Sequence, residues 1–278
     1  MQSAFEDDYF DILAKARYGV GICVKEASEI SGLDPAAIED MEAGRGRPSR
    51  TALESLASAL ELVPRKLADF ALKPEPARST PPIAVFSRLQ LGDQFKVNCY
   101  ILACPKTLEA VIVDPGFDPA RVAAEIDRLK AIPSAVFITH GHLDHTGGLE
   151  ELCRRYRIPM VALGQERSSI SSAGPRCVFV EPGHQFTVGT LQLTLHHVPG
   201  HTPGMGVLAA ENPRVAFTGD ALFARSLGRC SAPGRIYRRF LQAVEERILT
   251  LPPDTALCPG HGPMTTVEDE KRLNPFFK

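Results

Sequence analysis

The 278-residue sequence has no long apolar run and no surplus of either charge, and each absence excludes something. No segment approaches roughly 18 uninterrupted apolar residues, so no membrane-spanning helix is expected. A formal net charge of −2 provides no global pull toward nucleic acid or a membrane surface. Met1 to Phe10 carries Glu6, Asp7 and Asp8 where a secretory signal needs a basic start and an apolar run, so a cytosolic location is expected. The seven cysteines are odd in number, scattered and without a C-x-x-C pair, which argues for reduced thiols over a disulfide framework or a cysteine zinc site. Repeats are absent, and so are low-complexity tracts apart from one proline-rich stretch. What remains, 44% hydrophobic and 23% charged, is an ordinary globular chain long enough for more than one domain.

The proline-rich stretch divides the chain. Pro74, Pro76, Pro81 and Pro82 deny both helix hydrogen bonds and a central strand, leaving a semi-stiff connector over 74–82 between an N-terminal domain, 1–73, and a second domain, 83–278. Before it the apolar spacing is helical, as in Leu53, Leu56, Ala57 and Leu60; after it, short β-branched runs alternate with amphipathic helices. Val24 to Ile30 reads as a short helix, Ser31 to Asp34 as a turn ending in an N-cap, and Pro35 as the first residue of a second helix running to Glu42. Two short helices around a glycine turn make a helix-turn-helix. With Ala27, Gly32, Leu33, Ile38, Glu42, Gly44 and Pro48, the segment over residues 10–72 resembles the Cro/repressor-type family. DNA-binding members present polar or basic side chains on the second helix. This one presents Glu39 and Asp40, and the segment through Lys73 has nine basic against thirteen acidic residues, a net −4. Two readings stay open: a docking or dimerisation module, which the acidity favours, and a DNA-binding module with Arg45, Arg47 and Arg50 on phosphates. A homodimer is a partner consistent with the first.

The second domain carries the chemistry. Thr139 to Gly148 reads T-H-G-H-L-D-H-T-G-G, three histidines and an aspartate within six positions on a chain with eight histidines in all. Val136 to Thr139 reads as a buried strand and the stretch beyond the motif as a helix through Leu149, Leu152 and Tyr156. In the extended loop between them alternate positions point the same way, so His140 and His142 can grip one ion, while Asp144 and His145 follow a change of direction and face a second position. His201 follows a strand in H-V-P-G-H-T-P-G, His261 follows another in C-P-G-H-G-P, and Asp220 ends the apolar run Val215 to Phe217. A lone His261 or Asp220 would more often be a cap or a surface residue; the joint pattern is what carries weight. Nitrogen and oxygen ligands without cysteine suit an open catalytic site for zinc, iron or manganese.

The same residues resemble the metallo-β-lactamase superfamily, over about 83–278, and within it the glyoxalase II-type hydrolases. Asn98-Cys-Tyr100, Val113-Asp-Pro-Gly116, Pro199 to Pro203, Thr218 to Phe223, Gly228-Arg229, Gly260 to Pro263 and Asn274-Pro-Phe276 read as that group does. The resemblance implies an α+β chain, an αββα sandwich preceded by the small all-α helix-turn-helix domain. It implies two divalent ions, zinc foremost, with His140, His142 and His201 on the first, Asp144, His145 and His261 on the second, and Asp220 bridging. The implied activity is hydrolysis of a small-molecule thioester such as S-lactoylglutathione by a metal-bridging hydroxide, with Asp144 also orienting the nucleophile. Asp114 and His197 are candidates for fixing the imidazole tautomers. Full-length glyoxalase II enzymes carry a C-terminal helical domain that helps hold glutathione, whereas this sequence ends at Lys278, so thiol recognition is expected elsewhere; the loop from Arg225 to Arg239, with Arg229 as a candidate substrate contact, is the place to look. Three alternatives stand beside the hydrolase: a mononuclear-iron persulfide dioxygenase using His140, His201 and Asp220, a lactonase, and a DNA-binding regulator with a metallohydrolase-like sensor half.

Overall fold

A computed structural model describes residues 5–77, 85–93, 96–170 and 176–278. Most of the expected proline connector therefore lies outside the described residues, which cover it only as far as Ala77.

Five helices come first: α1 (Tyr9–Val20), α2 (Val24–Ser31), α3 (Pro35–Glu42), α4 (Arg50–Ala59) and α5 (Pro64–Leu72). The expected start signals act where they stand. Asp34 accepts a hydrogen bond from the Ala36 amide with Pro35 in the first turn, and Gly32 closes α2 with φ of 73°, a left-handed geometry that glycine adopts without steric cost. The α2–turn–α3 pair thus has the expected boundaries to within a residue. Ala27, Ile38, Leu53, Leu56 and Ala57 are buried, while the outer face of α3 exposes Glu39 and Asp40.

Two six-stranded mixed sheets follow, with helices outside them, as the sequence resemblance implies. The first contains β1 (Phe86–Leu91), β2 (Val97–Ala103), β3 (Glu109–Val113), β4 (Ile132–Phe137), β5 (Met160–Leu163) and β6 (Cys177–Val180), paired in that order, antiparallel up to β3 and parallel beyond. Helices α6 (Pro119–Leu129), α7 (Leu143–Thr146) and α8 (Leu149–Tyr156) connect the parallel strands. The second sheet contains β7 (Gln185–Val188), β8 (Leu191–His197), β9 (Gly206–Glu211), β10 (Arg214–Gly219), β11 (Ala256–Pro259) and β12 (Thr265–Thr266), with α9 (Arg235–Arg247) and α10 (Val267–Leu273). Its β10–β11 pair is parallel, which places the C-terminal ends of both strands at one edge.

Strand periodicity divides the apolar residues between layers. In β2 and β4, Tyr100, Leu102, Ala135 and Phe137 enter the core between the sheets with Leu193, Leu195, Leu208 and Phe217; the alternating Cys99, Ile101 and Val136 face α6 and α8. A third cluster joins the outer face of the second sheet (Val207, Ala216, Leu257) to Tyr237, Phe240 and Val244 of α9, and it runs on into Leu13, Ala16 and Leu67 of the N-terminal helices. Backbone bonds tie the same parts together, from Val63 N to Pro275 O at 2.7 Å and from Gly234 N to Gly19 O at 2.8 Å. Among the described residues no helix is long and apolar enough to cross a membrane.

Phe240 is fully buried and packs against Gly200, where there is no room for a Cβ. Phe240→Ala should therefore lower the unfolding free energy by about 3–5 kcal/mol, measured by urea denaturation monitored by circular dichroism.

Candidate metal centre

The parallel strands and the second sheet deliver their chemistry at one edge. Beyond β4 the chain presents His140 and His142; α7 turns Asp144 and His145 inward; the loop after β8 brings His201, β10 leads directly into Asp220, and β11 leads to His261. All seven expected ligands converge. Three overlapping groups have ligand atoms within 4.8 Å of one another: His140, His142 and His201; His140, His145 and Asp220; Asp144, His145 and His261. Asp220, 6% exposed, lies between the two histidine sets, with Oδ2 3.5 Å from His201 Nε2 and 3.6 Å from His261 Nε2, and Oδ1 3.4 Å from His145 Nε2. Asp144 Oδ2 stands 3.3 Å from His261 Nε2 and 3.7 Å from His145 Nε2.

These separations fit divalent ions. Bonds of roughly 2.0–2.2 Å in a tetrahedron put neighbouring ligand atoms about 3.3–3.6 Å apart. His142 Nδ1 lies 3.0 Å from His140 Nε2 and 3.1 Å from His201 Nε2, and the other nitrogens of those two rings are engaged elsewhere as donors. Three lone pairs facing one point repel unless a cation sits among them. His145 Nε2 and Asp220 Oδ1 are buried without a hydrogen-bond partner, which is the condition of a ligand atom aimed at an ion.

A row of partners fixes which nitrogen faces inward. His145 donates from Nδ1 to Asp114 Oδ2 at 2.8 Å, His201 from Nδ1 to the Arg229 carbonyl at 2.8 Å, and His261 from Nδ1 to the Lys96 carbonyl at 2.8 Å. His140 Nδ1 meets Thr139 Oγ1 at 3.1 Å, and that hydroxyl donates onward to Asp114 Oδ2 at 2.8 Å. Asp114 also accepts from the Thr139 amide at 2.9 Å, and it holds φ of 50°, a left-handed conformation that non-glycine residues adopt only where their surroundings compensate. Among the described residues His197, expected beside Asp114 in this role, makes no hydrogen bond to a ligand imidazole; it donates from Nε2 to the Pro203 carbonyl at 2.8 Å, in the turn that carries His201.

The acids and imidazoles of the site shift one another's proton affinity. Burial works against a proton on His145, yet the charges of Asp114 and Asp220 raise its pKa well above the ordinary imidazole value; burial likewise opposes His261, which the Asp144 hydrogen bond and the Asp220 charge raise to about 9. Burial and the neighbouring His145 charge push His140 well below the usual value, and burial lowers His201. Burial opposes ionisation of Asp220, but His145 outweighs it and holds the carboxyl well below the usual range. A metal needs these ring nitrogens free of protons, which couples its binding to pH.

Sequence reasoning missed Glu166. Fully buried in the short turn after β5, it accepts from the Gly141 amide at 2.8 Å, the Thr202 hydroxyl at 2.5 Å and the Gly204 amide at 2.9 Å, and so ties the His140–His142 loop to the His201 loop. Its place after a strand of this sheet was a signal, but its partners are 25 to 38 residues away in sequence. Arg225, grouped with a specificity loop, is instead 1% exposed and paired with Glu270 at 2.5 Å. Two exposed apolar residues, Phe117 and Leu143, flank the ligand loops.

Histidines and aspartates gathered at one edge of a double β-sheet scaffold form a candidate metal site. The chain belongs to the metallo-beta-lactamase superfamily, whose profile matches residues 92–261, more than half of the sequence and beginning after the five N-terminal helices. It is 33% identical over 207 residues to an uncharacterized protein of Mycobacterium tuberculosis, covering 65% of this chain and 92% of that one. It is 28% identical over 199 residues to hydroxyacylglutathione hydrolase GloC of Haemophilus influenzae, covering 66% and 93%. Among solved structures it is similar to the B3 metallo-beta-lactamase BLEG-1 (31% identity, TM-score 0.64, covering 69% and 99%) and to TTHA1623 in a di-iron-bound form (29% identity, TM-score 0.60, covering 69% and 100%).

Asp114→Asn should weaken metal binding about 10- to 100-fold, since the amide cannot accept from both Thr139 and His145 as the carboxylate does. Competition with a chromogenic chelator measures the loss, and an unchanged affinity would remove Asp114 from the ligand-orienting set.

Proposed function

We propose that this chain is a two-metal thioester hydrolase of the glyoxalase II type, acting on a substrate such as S-lactoylglutathione. The observation that carries the reading is His261: its Nδ1 is held by the Lys96 carbonyl while Nε2 stands 3.3 Å from Asp144 and 3.6 Å from Asp220. A single ion on His140, His201 and Asp220, as a persulfide dioxygenase would use, has no need of that second set. The similarity to GloC supports the substrate class, and the di-iron form of TTHA1623 supports two ions while leaving iron beside zinc and manganese as the metal.

Two divalent cations would supply a water acidified toward neutral pH and a Lewis acid for a carbonyl oxygen. In this reading His140, His142 and His201 would hold one ion and Asp144, His145 and His261 the other, with Asp220 between the two sets. Asp144, half-buried beside His261, would help hold the second ion and orient the attacking water by hydrogen bonding. A thiolate leaves with little protonation, so no strong general acid is required. The neutral Nε2 lone pairs stay directed inward because backbone carbonyls and Asp114 take the Nδ1 protons.

For the N-terminal helices we propose a repressor-type helix-turn-helix turned to docking, with domains at 1–73 and 83–278 joined by the proline connector. Arg45 bonds Asp40 at 2.7 Å, and Arg50 bonds Glu54 at 3.3 Å and Asp69 at 2.7 Å, so two of the three arginines considered for phosphate contact are already paired. The exposed acidic face of α3 adds to this.

The protein purified without added metal should contain close to two equivalents of metal per chain and release thiol from S-lactoylglutathione. His261→Ala should reduce the rate by on the order of 10²-fold or more, the scale of losing one stabilising group at a developing oxyanion. One iron per chain with oxygen uptake on glutathione persulfide, and no thiol release, would replace the hydrolase with the dioxygenase. Separately, duplex DNA should show no binding that weakens log-linearly with salt; specific retention of a promoter fragment that is lost in Arg47→Ala would restore the regulator.

A further inference from the structure

The N-terminal helices touch the second domain at the loop that follows the Asp220 strand. Asp7 accepts from the Ser226 hydroxyl at 2.5 Å, Lys15 Nζ donates to the Leu227 carbonyl at 2.8 Å, and the Tyr18 hydroxyl donates to the Ser231 carbonyl at 3.3 Å. Lys15 Nζ also lies 5.2 Å from the centre of the Phe223 ring, which meets the His261 ring edge-on at 5.8 Å. Between α1 and this loop runs a cleft of about 620 Å³, lined by Asp11, Lys15, Tyr18, Ile22, Arg229 and Pro233 among others. That volume is in the usual range for small-molecule sites of roughly 300–1,000 Å³.

Arg229 belongs to both the cleft and the metal centre. Its carbonyl holds His201, and its guanidinium lies 5.0 Å over the Tyr18 ring. The other cations of the cleft are already paired: Lys15 is bonded to Asp7 at 2.5 Å, and Arg17 makes a two-pronged pair with Glu42 at 2.6 and 2.7 Å. Among the described residues no carboxylate lies within 4.0 Å of the Arg229 guanidinium, which is exposed. A solvated arginine samples many rotamers. One laid on an aromatic face keeps its plane while its N–H edge stays open, and that edge matches a carboxylate bidentately.

Resting on the thioester reading, we propose that α1 is the far wall of the substrate cleft and that Arg229, positioned by Tyr18, binds a carboxylate on the thiol half of the substrate. The N-terminal helices thereby take part in thiol recognition. Substrates with a carboxylate-bearing thiol such as a small peptide are selected over thiols without one. Tyr18 is a positioning residue, since it reaches the ligand only through Arg229; substitution of the Arg229 side chain leaves the backbone carbonyl on His201 in place.

The test uses the metal-loaded full chain, with calorimetric binding of reduced glutathione and of its diethyl ester, in which both carboxylates are capped. Wild type should bind glutathione at least tenfold more tightly than the diester. Arg229→Gln and Tyr18→Ala should abolish that preference with metal content and melting temperature unchanged, Tyr18→Phe should retain it, and KM for S-lactoylglutathione should rise about tenfold in the two deficient variants. Equal affinity of wild type for the two ligands, or variants that keep the preference, would overturn the assignment. If the preference is present and lost as described but no thioester is hydrolysed, the cleft stands and the hydrolase reading falls; if thioester is hydrolysed with no carboxylate preference, the hydrolase stands and the cleft falls.

Discussion

The arrangement depends on one buried carboxylate. Asp220 is nearly inaccessible, yet it must stay ionised to serve two histidine sets, and an isolated carboxylate at that depth would cost several kcal/mol. The chain offsets the cost chiefly with His145, and with His261, whose charges hold its pKa down. That requirement explains the closeness of the backbone around it. A Cβ on Gly260 would lie 2.6 Å from the His145 ring, and Gly219 adopts φ of 47° beside Thr139. Glycine at these positions lets three strand ends approach one side chain.

Around this centre lie residues that never face it but determine its geometry. Asp114 links His145, Thr139 and through it His140, while Glu166 ties the two ligand loops together from the opposite side. Both are carboxylates whose oxygens are used up by defined donors, so each acts as a rigid strut rather than a free charge. Backbone carbonyls of Lys96 and Arg229 do the same for His261 and His201. The ligand sphere is thus pinned by four separate elements of chain, which restricts how far the imidazoles can rearrange.

The N-terminal helices share an apolar cluster with α9 and the outer face of the second sheet, and Lys66 of α5 donates to the carbonyls of Lys271 at 2.7 Å and Phe277 at 2.6 Å. Tyr237 packs where a side chain on Gly19 would collide, 2.5 Å from its ring. These helices carry acid on the exposed face of α3, and Lys15, Arg17, Arg45 and Arg50 are each held in an ion pair.

Local chemistry made much of this legible in the sequence. The α2–α3 boundaries follow from Asp34, Pro35 and Gly32, because caps and left-handed glycines act within four residues. The seven metal-type ligands stand out because histidine and aspartate at strand ends need no long-range partner to be noticed, and the H-x-H-x-D-H spacing separates two groups by the turn into α7. The roles of the neighbours were decided only by the tertiary structure. Glu166 reads in sequence as one acid in a polar turn, His197 sits one strand end from a ligand yet bonds the Pro203 carbonyl, and Arg225 looks like its exposed neighbours though it is sealed against Glu270. What those side chains do is set by which atoms lie within about 3 Å of them, and for Glu166 and Arg225 these atoms belong to residues 25 to 45 positions away, brought near only when the two sheets and their helices close on each other.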